Sequence, residues 1–279
     1  MRQLHLFALV GLGGALGSLA RLGMATFGDP GTVGTFIANI VGCTALGLLA
    51  RSPRSDQLRW FAATGFSGGL TTMSTFALEL VAGAWIGPIW VMVLYFVLSV
   101  GVGLAAFSSA RSLGVTHPMA SVVLGLTGLA SLVGLLAGLA AFSDRGLAVA
   151  IGFVLAAALG AGVRGVLSAA NTFDAQLIAI GLINVVGAFV LAFLTGPPNS
   201  VTFPARLSDA LSPLDAEPSN GLLILGIGAL GAFTTFSTAI SQLERLVRER
   251  GRAAGVLVGA VMFAAIIGAA ALGRSLSGG

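Results

Sequence analysis

The sequence predicts an all-α integral membrane protein: two inverted four-helix repeats joined by one linker transmembrane helix, nine spans in all. Three observations carry that expectation. The chain is 56% hydrophobic and 9% charged, with 41 glycines among 279 residues, far from the averages of soluble domains. Nine apolar runs approach or exceed the length that crosses a bilayer: 4–27, 32–50, 60–82, 85–110, 119–142, 148–170, 175–195, 221–243 and 253–272. Finally, three signals occur twice in the same order. Arg21 in "GALGSLAR", Asn39 in "NIVG" and "GGLTTMSTF" at 68–76 return as Arg164 in "AALGAGVR", Asn184 in "NVVG" and "GAFTTFSTA" at 231–239. Ordered self-similarity of this kind marks a duplicated unit.

The runs divide into repeats of four spans, residues 1–112 and 146–279, around a linker segment at 113–145 that holds the ninth. Four spans return a chain to its starting side, so the extra span inverts the second repeat. The linker run carries no charge, as suits a connector. All 14 basic residues are arginine. With the N-terminus in the cytoplasm, cytoplasmic segments hold Arg2, Arg51, Arg54, Arg59, Arg111, Arg245, Arg248, Arg250 and Arg252. External segments hold Arg145, Arg206 and Arg274. That bias follows the positive-inside rule and predicts a multi-pass plasma (inner) membrane protein, N-terminus cytoplasmic and C-terminus external. It also accounts for the net charge of +4 without nucleic acid, and the lone Cys43 permits no disulfide framework.

Inverted repeats place their working residues near the midplane around a pseudo-two-fold axis, so transport leads among the function classes and no enzyme chemistry is expected. The third span of each repeat is the unusual one. Adjacent glycines weaken a helix and threonine competes for its backbone bonds, so a break is expected at each "G-G/A-x-T-T". Lipid cannot satisfy the groups such a break frees. The hydroxyls that follow, Ser74, Thr75, Ser237 and Thr238, and the mid-span Asn39 and Asn184, are candidate pathway residues. Neither repeat carries a mid-span carboxylate. Glu79 lies near the end of the third span, with Gln242 as its counterpart, so amides, hydroxyls, Arg21, Arg164 and aromatic rings favour an anion over a cation.

These motifs together resemble the CrcB (Fluc) fluoride ion channels, in a fused two-repeat form like the fungal fluoride exporters. The resemblance covers both halves apart from the linker span, loops and tails. It implies passive export of fluoride across the lipid bilayer by one chain equivalent to an antiparallel dimer. It also implies a structural Na⁺ held by the backbone carbonyls of Gly68, Thr71, Gly231 and Thr234, and an anion donor role for Asn39 and Asn184. The family's paired pore phenylalanines fall at Met73 and Phe76 in the first repeat and at Phe236 and Ala239 in the second. Each repeat has lost one ring, at opposite positions. A pore drawing one ring from each half would keep Phe76 and Phe236 as a pair and leave the other pathway degenerate at Met73 and Ala239; alternatively both conduct. Tyr95 and Ser99, one helical turn apart, match the family's polar pore track, which the last span lacks. Arg21 and Arg164 are read either as vestibule cations or as span-end anchors. The competing function is a proton- or Na⁺-coupled small-molecule exporter, for which Glu79 would be the required acid. The loop at 196–220, with five prolines, is read as irregular.

Overall fold

The computed structural model describes residues 2–26, 32–51, 55–113, 118–195 and 220–277. Phe27, Arg54, Arg206 and the loop at 196–219 lie outside them. The first repeat comprises α1 (Arg2–Met24), α2 (Thr32–Leu49), α3 (56–70), α4 (Met73–Ile86) and α5 (Ile89–Leu113). The linker helix α6 is Pro118–Ala140. The second repeat comprises α7 (Leu147–Leu167), α8 (Phe173–Leu194), α9 (222–233), α10 (Phe236–Arg250) and α11 (Arg252–Leu276). No strand occurs among the described residues. Among the described residues eight helical stretches are long and apolar enough to span a membrane. The interrupted element 56–86 is the counterpart of 222–250 in the second repeat.

The breaks fall one step later than the glycines suggested. Gly68 and Gly69 remain helical, preceded by a π-helical stretch at Arg59–Ser67, and the chain extends at Thr71 and Thr72 (ψ 153° and 131°). Thr234 and Thr235 do the same (ψ 157° and 125°) after the π-helical Leu222–Leu230. The following threonine in each pair caps the next half-helix, its hydroxyl accepting from the backbone N–H of Thr75 or Thr238. The glycines serve close approach instead. A Cβ on Gly69 would overlap the Gly14 backbone, and one on Gly68 or Gly231 would strike the guanidinium of Arg164 or Arg21.

Packing follows the same economy of small side chains. At the centre α1 lies against α7, where Gly11 and Gly14 meet Ala158 and Ala161. The linker α6 also packs on α1, with Gly134 and Gly138 over the carbonyls of Ala20 and Leu19. In each repeat the second and fourth spans pair, α2 with α5 and α8 with α11. The half-helices after the breaks then exchange partners. α4 of the first repeat rests on α8 and α11, and α10 of the second rests on α2 and α5. Gly251, at φ 89°, supplies the left-handed residue that lets α11 follow α10 directly.

Candidate functional site

Where the two breaks cross, hydroxyl groups meet in the absence of any carboxylate. Thr71 Oγ1 lies 3.2 Å from Thr235 Oγ1 and 3.0 Å from Ser237 Oγ, and accepts from the Ser237 N–H. Across the pseudo-two-fold, Thr234 Oγ1 lies 3.4 Å from Thr72 Oγ1 and 2.9 Å from Ser74 Oγ, and accepts from the Ser74 N–H. Thr71 Oγ1 additionally donates to Ser67 O, and Thr234 Oγ1 to Leu230 O. Each break is thus closed in part by hydroxyls from the opposite repeat. Buried polar backbone must find partners, and here the partner is the other half of the protein.

Asn39 and Asn184 belong to this closure. Asn39 Oδ1 accepts from the Thr72 N–H at 3.0 Å while its Nδ2 donates to Thr72 O at 3.4 Å. Asn184 treats Thr235 identically, at 2.9 and 3.2 Å. Each amide stands in for the missing helical bonds of one extended residue. Nδ2 carries two hydrogens, so one donor on each asparagine is left beyond this clamp.

The two span-embedded arginines are buried, 4% and 1% exposed, which excludes anchoring by snorkelling. Arg21 donates through Nε to Gly69 O at 3.1 Å and through Nη2 to Ile227 O of the other repeat at 2.9 Å. Arg164 donates through Nε to Ala232 O at 3.0 Å, and its Nη2 is unpartnered. Their guanidinium groups lie against Gly231 and Gly68. Both therefore hold the ends of the half-helices before the breaks, with Arg21 also bordering a small cavity beside Thr35, Thr72 and Thr75.

Phe76 and Phe236 are in edge-to-face contact, centroids 5.3 Å apart at 73°. Phe76 also meets Tyr95 edge to face at 5.3 Å and stacks on Phe96 at 6.2 Å. A Cβ on Gly103 would touch both the Phe236 ring and Cys43 Sγ, so the Phe236 ring enters the space between α2 and α5. One side of the molecule thus gathers Asn39, Phe76, Tyr95 and Phe236, with the buried Ser99 hydroxyl unpartnered. Met73 and Ala239 are fully buried in the same apolar cluster.

Glu79 and Thr35 extend this line. The Glu79 carboxylate, 2% exposed, accepts from Thr35 Oγ1 at 2.6 Å and from the Tyr95 hydroxyl at 2.7 Å. Sequence reasoning missed Thr35, although it lies one turn before Asn39 on the same face of α2. It left Glu79 at a span end, whereas the half-helix α4 carries it inward against two donors. In the second repeat the counterparts of Glu79, Thr35 and Tyr95 are Gln242, Ile180 and Val258. The acid and both of its donors are absent there.

The mouths of the two halves differ accordingly. The small cavity bordered by Arg21 is also lined by Leu22, Ala25, Thr35, Thr75 and Ile227, and measures about 20 Å³. The counterparts of those five, Gly165, Ser168, Ile180, Thr238 and Thr64, all line a cavity of about 650 Å³. It opens among Arg2, Arg59 and Arg245. Corresponding positions of the two repeats therefore line cavities of very different size.

Among the described residues no group of three or more His, Cys, Asp or Glu could hold a metal. Carbonyl and hydroxyl oxygens at the crossed breaks are nonetheless a hard donor set without carboxylate charge, which fits a monovalent alkali cation better than a divalent one. Thr71 and Thr234, where the helices stop, are fully buried, and their extended carbonyls have no following helical turn to bond.

The family model described as "CrcB-like protein, Camphor Resistance (CrcB)" matches the chain twice, over residues 8–111 and 151–274. A relative named fluoride-specific ion channel FluC 2, from Rhodococcus jostii, is 46% identical over 101 residues, covering 35% of this chain and 89% of the relative. The fluoride-specific ion channel FluC of Desulfotalea psychrophila is 43% identical over 34% of this chain and 81% of its own length. That of Paracoccus denitrificans is 42% identical over 39% and 94%. Such relatives are single-repeat in length, and this chain carries two matches. No solved structure matches it.

Proposed function

This chain belongs to the CrcB-like family, and from that premise together with the site geometry we propose that it is a fluoride-selective channel with one conducting pathway. The carrying observation is the Phe76–Phe236 pair, one ring from each repeat, with Tyr95 edge-on to Phe76. Ring edges carry partial positive charge. They touch an anion without holding it as a fixed cation would. The spare N–H of Asn39 and the unpartnered Ser99 hydroxyl replace part of the water shell that a small anion loses in passing. Met73 and Ala239 give the second pathway no such pair.

Conduction is passive and outward in this reading. Hydrogen fluoride enters neutral, ionises in a near-neutral cytoplasm and leaves as the anion, pushed by about 2.3 kcal/mol per charge per 100 mV of negative-inside potential. The arginine-rich face, with Arg2, Arg59, Arg111 and Arg245, is cytoplasmic. The carbonyls of Gly68, Thr71, Gly231 and Thr234 would hold a Na⁺, whose charge locks the crossed breaks together. Residues Arg21 and Arg164 keep the neighbouring helix ends in place. The fused chain acts as a monomer, its halves standing in for two subunits.

Fluoride efflux from liposomes reconstituted with the purified protein tests the reading, using a fluoride electrode and a potassium ionophore. Fast, voltage-driven fluoride loss with little chloride loss is expected. Efflux no faster than from protein-free liposomes, with folded protein verified in the bilayer, would overturn it.

A further inference from the structure

One face of α5 carries Tyr95, Ser99 and Gly103 at successive helical turns. The first two form the polar track. The third has no side chain and is buried. A Cβ at Gly103 would come within 3.0 Å of Phe236 Cε1, and within 3.6 Å of both Phe236 Cζ and Cys43 Sγ. One edge of the Phe236 ring therefore lies directly over Gly103. The same ring meets Phe76, which is itself flanked by Tyr95 and Phe96. Both Phe76 and Phe236 are fully buried, in a core packed too closely to give a displaced ring free room. The last helix α11 matches α5 in length, at 25 residues each, and its corresponding stripe is Val258, Met262 and Ile266. Ile266 is fully buried in the apolar cluster that also holds Met73, the counterpart of Phe236. Space that glycine leaves in one repeat is taken by a branched side chain in the other.

We propose that Gly103 is a positioning residue of the conducting pathway: its missing side chain is the seat that lets the Phe236 ring stand edge-on to Phe76. The contact rests on geometry, and its role in conduction rests on the fluoride-channel reading. Carbon atoms pack without strain at about 3.5–4.0 Å. A Cβ at 3.0 Å forces its neighbour to give by a few tenths of an ångström. Cys43 Sγ, at 3.6 Å, is in ordinary contact and need not move, so the ring takes the displacement. An anion that passes ring edges depends on where those edges point, and a turned or shifted Phe236 no longer presents its edge beside Phe76. The second repeat shows the opposite choice. Met262 and Ile266 place apolar bulk where Ser99 and Gly103 leave a hydroxyl and a space. The second pathway has thus lost the seat for a ring as well as the ring itself, and a phenylalanine restored at Met73 alone would find its place filled.

Two measurements on the full-length protein test the proposal. The first is the unfolding midpoint in detergent of Gly103→Ala, Phe236→Leu and the double variant. Phe236→Leu deletes Cε1 and Cζ, the two ring atoms nearest Gly103. Gly103→Ala should lower the midpoint in the wild-type background. In the Phe236→Leu background, where the space is open and alanine favours the helix, it should leave the midpoint unchanged or raise it. The second measurement is fluoride efflux from liposomes, normalised to folded protein. Gly103→Ala should lower efflux at least about tenfold, the scale of overpacking strain borne by the ring, and should add little to the loss caused by Phe236→Leu. Gly101→Ala, exposed on the same helix with nothing within 4 Å of its Cβ, should conduct like the wild type. Equal midpoint shifts in the two backgrounds would overturn the seat. Efflux of Gly103→Ala within about twofold of a conducting wild type would overturn its role in the pathway. A wild-type chain without efflux would sink the channel reading and that role with it, and the midpoints would still decide whether the contact exists.

Discussion

Asn39→Ala and Asn184→Ala form a pair of perturbations that are structurally equal and functionally unequal. Each removes both hydrogen bonds to one extended residue, Thr72 or Thr235, which are 1% and 0% exposed. Neither N–H can reach water, so the loss is the desolvation penalty of an unpaired donor and acceptor, about 1–3 kcal/mol for each group. The carbonyl partner is the weaker at Asn39, at 3.4 Å, which places both variants near about 2–4 kcal/mol. For a chain of this size roughly 2–4 °C of midpoint shift accompanies each kcal/mol, so unfolding in detergent should fall by about 5–15 °C in both variants alike. Fluoride efflux separates them. Asn39 lies on the side with the ring pair, so Asn39→Ala should lower the rate per folded protein at least about tenfold, the cost of one lost donor to a partly dehydrated anion. Asn184→Ala should leave it within about twofold. Midpoints unchanged in both variants would refute the clamp, and equal loss of efflux in both would refute the single conducting pathway.

Four further outcomes follow from the same geometry. Phe76→Ala or Phe236→Ala should each remove most efflux, because either breaks the inter-repeat ring pair, while Met73→Ala should not; rates are normalised to folded protein since burial makes each Phe loss cost about 3–5 kcal/mol. Gly69→Ala should fail to give monodisperse protein in size-exclusion chromatography, since its Cβ would overlap the Gly14 backbone, whereas Gly101→Ala, facing open space, should be tolerated. Glu79→Gln should keep the Thr35 bond but weaken the Tyr95 contact and alter efflux, and a pH-driven substrate flux abolished by it would favour a coupled exporter instead. Purification with Na⁺ replaced by N-methylglucamine should lower the unfolding midpoint if Gly68, Thr71, Gly231 and Thr234 hold that ion; an unchanged midpoint would remove the cation from the account.

Much of the architecture was legible because membrane burial imposes it directly. Apolar length marks the spans, and the order Arg21, Asn39, "GGLTT" followed by Arg164, Asn184, "GAFTT" marks the duplication. The break was legible as well, but not its seat. Glycine permits many conformations without requiring any, and at 68 and 69 its use is the room it leaves for Arg164 and for the Gly14 backbone. The extended residues are the threonines, whose hydroxyls then cap the next half-helix. Roles that depend on contacts across the repeats were not legible. Nothing in the local pattern says that Arg21 reaches Ile227 or that Thr71 meets Ser237. Thr35 went unnoticed for a related reason: its partner Glu79 lies 44 positions away, and a lone threonine in an apolar run reads as packing.

The hydroxyl crossing also explains how one pathway could lose its rings without loss of the fold. Everything that closes the breaks is held twice: two asparagine clamps, two guanidinium groups, two threonine caps and reciprocal serine contacts. None of these uses Met73, Phe76, Phe236 or Ala239, whose side chains belong to the apolar cluster. A two-subunit assembly of identical chains cannot change one pathway alone, because each substitution appears in both. Fusion removes that constraint, and the positions that differ between the repeats, Met73 against Phe236 and Phe76 against Ala239, lie in the apolar cluster and not among the contacts that hold the crossing. Substitutions at the crossing should therefore be costly in either repeat, as for Ser74→Ala and Ser237→Ala, which each remove a bond to the opposite threonine. Each should lower the unfolding midpoint by a similar few degrees, about 1 kcal/mol apiece. A loss confined to one repeat would mean that the crossing itself has become asymmetric.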